Sequence, residues 1–140
     1  MNKVVLKYDF DFDFVLIAIS CPLKDYRLCH FINKYTGLQL ERAEDYAVFI
    51  PQFEETCEFT CYAQLTEEEE VEFYLFSNKG VENGFLIPEM KTSDYFLMIR
   101  NFIDDEDLEL LIEALNKIPE VVVASEIVPE KLKSRENLIF

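Results

Sequence analysis

The order of apolar and polar positions predicts helices toward the two ends of the chain and a β-rich middle. KVVLKY, residues 3–8, is short, β-branched and partly alternating, as an early strand is. In YDFDFDF, residues 8–14, Asp9, Asp11 and Asp13 alternate with Phe10, Phe12 and Phe14. An extended backbone would turn the carboxylates to water and the rings to a core. FVLIAIS, residues 14–20, is apolar on both faces, so its period does not separate a buried strand from a helical turn. Leu28, Phe31, Ile32 and Tyr35 then share one helix face. Pro22 suits a first helical position and Gly37 a terminator, which predicts a helix over 23–35.

The middle reads as antiparallel sheet. YAVFI, residues 46–50, is a short strand. CEFTCYAQLT, residues 57–66, alternates throughout, with Cys57, Phe59, Cys61, Ala63 and Leu65 on one face and Glu58, Thr60, Tyr62, Gln64 and Thr66 on the other. Glutamates 67–70 form a solvated turn, and VEFYLFS returns with Val71, Phe73 and Leu75 on one face, completing a hairpin with a longer loop. SNKGVENG reads as a loop and DYFLMIR as a strand. Asp104 is placed to cap a helix whose Leu108, Leu111, Ile112 and Leu115 form one stripe. VVVASEIV is a last short strand, and the polar run PEKLKSREN leads to LIF. Sheet in the middle with helices toward both ends is α+β: an antiparallel sheet of four to six strands packed against two or three helices.

Composition narrows the class. At 140 residues, half of them hydrophobic and 13 of them Phe, the chain has the material for one well-filled core, so residues 1–140 are expected to form a single globular domain. A formal charge of −15 repels phosphate backbones and anionic lipid, which argues against nucleic-acid and membrane partners. No apolar run approaches the roughly 20 residues that span a bilayer. A cytoplasmic protein is expected.

Candidate chemistry is sparse. A calcium loop starting at Asp9 would need Gly at position 14 and an acid at position 20, where the chain has Phe14 and Ser20. On one strand Cys57 and Cys61 would stand about 13 Å apart, too far for a disulfide or one zinc ion. Cys21, Cys29 and His30 lack a second metal-ligand pair, and the thiols read as buried and inert. His30 is the single histidine, so any imidazole base would have to be that residue. Phosphate-loop, dinucleotide, zinc-protease and nucleophile-elbow motifs do not occur, and neither a cofactor nor a metal is expected.

One stretch carries a resemblance. IPEMKTSDYFLMIRNF, residues 87–102, is similar to the signature of the IPExxxVD family, small proteins of Bacteroidetes with no assigned activity. Ile87, Pro88 and Glu89 match, and Ser93-Asp94 stands where the family name has Val-Asp. DFDF at 11–14, DYRLC at 25–29 with Asn33, and the terminal NLIF look like the rest of that pattern. The resemblance implies no mechanism, but it singles out Asp25, Tyr26, Arg27, Ile87, Pro88, Glu89, Asp94 and Tyr95 as a structural or partner-binding motif.

Two functions stay open. One is a non-catalytic module that binds a protein partner or itself as a homo-oligomer. The other is a small enzyme or ligand-binding domain with a site assembled from Asp25, Glu89, Asp94 and Arg27. Two readings of Arg27 stay open: a bidentate pair with Glu89 or Asp94, or an exposed side chain without a partner, since surface ion pairs add only ~0–1 kcal/mol. The apolar face shared by Cys57 and Cys61 makes a direct prediction. Both should react with a bulky thiol reagent only after denaturation, and rapid labelling of the native protein at either position would place that face in solvent.

Overall fold

The computed structural model describes residues 14–51, 54–65, 71–101 and 103–138. The strand expected at 3–8, the Asp/Phe alternation up to Asp13, and the turn at 67–70 lie outside the described residues. Those described form an α+β fold. In chain order the elements are β1 (Phe14–Ser20), α1 (Asp25–Thr36), β2 (Glu41–Arg42), β3 (Tyr46–Ile50), β4 (Glu55–Phe59), β5 (Cys61–Leu65), β6 (Glu72–Ser77), β7 (Tyr95–Arg100), α2 (Asp105–Asn116) and β8 (Val123–Ile127). Short 3-10 turns occupy Pro88–Met90, Pro129–Lys131 and Arg135–Leu138. Six strands form one antiparallel sheet in the order β2-β5-β6-β7-β1-β8, and β3 and β4 pair as a separate hairpin.

The ambiguous FVLIAIS segment is a strand, and its uniform apolarity has a physical cause. β1 lies between β7 and β8, and both faces of the sheet are covered around it. Ile17 and Ile19 face the helices, packing with Leu97, Ile99, Leu28, Ile32 and Leu115. Leu16 and Ala18 face the hairpin, packing with Phe59, Phe76, Phe96 and Met98. An amphipathic alternation would leave polar groups in one of these two cores.

The helices follow their stripes with small shifts. Lys24 precedes the first turn of α1, so Pro22 shapes the approach to the helix rather than occupying its first position. Gly37, at φ 82°, ends α1 as expected, and its N–H donates to Asn33 O at 3.0 Å. Asp104 caps α2 by accepting from Asp107 N at 2.8 Å.

The described part of the long alternating run, residues 57–65, belongs to two strands. At Thr60 the chain passes from β4, paired with β3, to β5, paired with β6 and β2. Cys57, Phe59 and Cys61 stay on one core face across this change of sheet. Beyond it the assignment inverts. Tyr62, expected outside, is buried in the helix-side core, and Leu65, expected inside, is 62% exposed.

The long β6–β7 connection is organised by one side chain. Asn78 is 1% exposed. Its Oδ1 accepts from Ile87 N at 2.8 Å, and its Nδ2 donates to Met90 O and Ser93 O, both at 2.9 Å. Its own N–H donates to Asp94 O, and its carbonyl accepts from Leu86 N. Removing the amide would strand two buried backbone groups, Ile87 N and Ser93 O, each worth about 1–3 kcal/mol when left unpaired, while Met90 O would keep its bond from Ser93 N. Asn78→Ala is therefore expected to cost about 3–5 kcal/mol in urea denaturation, and a loss below about 1 kcal/mol would show that the connection holds itself.

Candidate functional site

Residues 87–95 are fastened to three other parts of the fold. Ile87 is fully buried and hydrogen-bonded to Asn78. Pro88 opens the 3-10 turn, where its fixed φ suits the backbone and its missing N–H costs nothing. Both oxygens of Glu89 are engaged by Ser134, the N–H and the hydroxyl donating at 2.9 Å each, which ties the turn to the C-terminal segment. Asp94 Oδ2 accepts from Cys21 N at 2.7 Å, and Asp94 N donates to Ile19 O at 2.9 Å. Tyr95 sends its hydroxyl to Leu23 O at 2.5 Å. Together these bonds clamp the end of β1 and the approach to α1.

The DYR run of α1 divides differently. Asp25 accepts from the Tyr62 hydroxyl at 3.0 Å. Tyr26 is 61% exposed, and Arg27 is exposed. The expected pairing of Arg27 with Glu89 or Asp94 is not formed. The ion pairs among the described residues are Arg42–Asp45 and Arg100–Glu72, while Ser134 and Cys21 hold the two carboxylates assigned to Arg27. Short backbone donors reach those acids without ordering a long arginine side chain.

The fold does bring some of the singled-out residues together. Asp25, Asp94 and Tyr95 line a polar cleft of about 540 Å³ with Lys24, Lys79 and Cys21. Its groups are largely committed. The hydroxyls of Thr60 and Ser77, also in its wall, bond each other, and Tyr95 is bonded to Leu23. Burial raises the Cys21 thiol against the opposing hydrogen bond at Leu23, and the nearby charges of Asp94 and Glu120 push it further up. Such a thiol stays protonated near neutral pH and is a poor nucleophile. Burial likewise pushes Cys29 and Cys61 up to about 11. His30 is exposed, and its ring stacks edge-on to Phe31.

A second concavity escaped the sequence reading. Between the end of α1 and α2 runs an open groove of about 420 Å³, lined by Tyr35, Leu38, Phe73, Ile103, Leu110 and Leu111. Tyr35, expected in the helix core, is 38% exposed, and Leu110 is 58% exposed. Asp104 and Asp107 also line the groove. The usable signal was Leu110-Leu111-Ile112, three consecutive apolar residues that exceed what one helix stripe buries. Among the described residues no group of three or more His, Cys, Asp or Glu is arranged to hold a metal ion, and no helix is long and apolar enough to cross a membrane.

No family model, no curated protein and no solved structure matches this chain.

Glu89 carries a pH-dependent prediction. Burial acts to raise its carboxyl, but the hydrogen bonds from Ser134 and neighbouring backbone outweigh it and hold the group below its ordinary value. A carboxylate depressed in the folded state adds stability above its unfolded pKa, and that stability is lost as pH falls through the folded value. Glu89→Gln should be less stable than the parent at neutral pH, with the two converging in acid. A difference that stays constant on acid titration of the melting temperature would disconnect Glu89 from the acid limb.

Proposed function

We propose that this chain is a non-catalytic protein-interaction module that receives a partner segment in the groove between α1 and α2. The observation that carries this reading is the groove itself: an apolar trough bordered by exposed Leu110 and Tyr35 on an otherwise strongly acidic protein. Clustered exposed apolar side chains cost solubility and are characteristic of surfaces that meet a partner. Their burial on docking supplies the driving force.

The polar cleft is what favours the alternative, an enzyme or ligand-binding domain, because it gathers Asp25 and Asp94. Two features weigh against that reading. Arg27 and Glu89, half of the expected set, do not line the cleft, and Cys21 is held in its unreactive form. The resemblance of residues 87–102 to the IPExxxVD proteins adds no activity to either reading.

Site-specific photo-crosslinking in cells decides between them. A benzophenone amino acid replaces either Tyr35, at the groove, or Tyr26, exposed on the same helix outside it. A dominant protein adduct is expected from Tyr35 and none from Tyr26. Adducts from Tyr26 alone would move the partner surface to the DYR run, and no adduct from either position would favour the ligand-binding alternative.

A further inference from the structure

Resting on the groove as the docking site, we propose that its occupant is a cationic amphipathic helix of a partner protein, with apolar side chains seated along α2 and lysine or arginine meeting Asp104 and Asp107. The lining positions on α2 and its cap are Asp104, Asp107, Leu110, Leu111 and Ala114, which follow one helix face. From first to last they span about 15 Å, the length of roughly three helical turns on a partner. The two carboxylates lie at the N-terminal end of this face and Leu110, Leu111 and Ala114 toward its C-terminal end, so this wall of the groove runs from polar to apolar.

Charge selects the occupant. Residues 105–116 include five carboxylates and no basic side chain. Those of the first turn are favoured by the helix dipole, but none of the five meets a cation in the ion pairs among the described residues. An acidic segment entering the groove would meet Asp104 and Asp107 with like charge. A cationic one would gain modest attraction there and a steered approach from the overall field of −15.

The test uses the full chain and three dye-labelled synthetic helices of about three to five turns: leucine/lysine amphipathic, leucine/glutamate amphipathic, and a leucine/lysine peptide of equal charge scrambled to remove the apolar face. Fluorescence anisotropy is read at low and moderate salt. The amphipathic lysine peptide should bind, and the other two should bind much more weakly. Leu110→Ala should weaken it about five- to tenfold, and Asp107→Asn about two- to fivefold. Asp105→Asn, on the same helix but away from the groove, should leave binding unchanged.

Equal binding of the lysine and glutamate amphipathic peptides, both weakened by Leu110→Ala, would overturn the charge selection and leave the docking groove standing. Equal sensitivity to Asp105→Asn and Asp107→Asn with no effect of Leu110→Ala would mean diffuse attraction to an acidic protein, and would overturn both. A dimer in sedimentation that Leu110→Ala dissociates would identify a second copy as the occupant and overturn the cationic helix.

Discussion

The fold turns on a single buried amide. Asn78 closes the connection between β6 and β7 by giving hydrogen bonds to Met90 and Ser93 and taking one from Ile87, at a position with almost no solvent contact. Backbone that leaves a sheet and returns within a core has no ladder to satisfy it, and each unpaired group there is costly. Asparagine is suited to the task because one planar group presents two donors and an acceptor to surrounding main chain. With the connection fixed, Ile87 enters the hairpin-side core, Glu89 reaches Ser134, and Asp94 reaches Cys21. The C-terminal turns and the start of α1 are therefore positioned through the same short segment. Its acids, Glu89 and Asp94, both accept from main chain N–H groups.

Much of the architecture was legible because periodicity reports burial. DYFLMIR, VEFYLFS and the Asp104-capped helix occur where their patterns place them. Failures came where burial and period part company. FVLIAIS is covered on both faces, so no alternation survives to distinguish it from a helix. CEFTCYAQLT keeps its alternation while the chain changes sheets at Thr60, and the burial of Tyr62 and exposure of Leu65 depend on neighbours distant in sequence. Asn78 resembled an ordinary loop residue in SNKG, because its importance lies in carbonyls 12 and 15 positions away. Of the candidate motif, the sequence offered Arg27 as the partner of Glu89 or Asp94, and the structure gives both acids other donors. An arginine is a plausible partner by charge, yet backbone N–H groups delivered by the fold reach those carboxylates instead.

The sheet edges bear on how such a protein meets others. An open edge strand offers unpaired N–H and C=O groups and invites pairing with any extended chain. Here β2 is two residues long, both charged, so it offers little ladder. At β8 the Asn116 amide accepts from Ala124 N and donates to Ala124 O, both at 2.9 Å, and so occupies a rung that another strand would need. The next residue of the same orientation is Glu126, and a two-fold copy pairing about this position would bring like charges together. Of the exposed valines nearby, Val122 and Val128 flank the strand, and only Val123 belongs to it. Edge-to-edge association is thus opposed at both ends of the six-stranded sheet by chain length, charge and a side-chain cap. The α1–α2 groove has no comparable guard: its apolar wall is open to solvent, and the carboxylates beside it repel anionic segments while leaving cationic ones free to approach. That asymmetry between guarded edges and an unguarded groove is the physical reason to place the proposed docking on the helical layer rather than on the sheet.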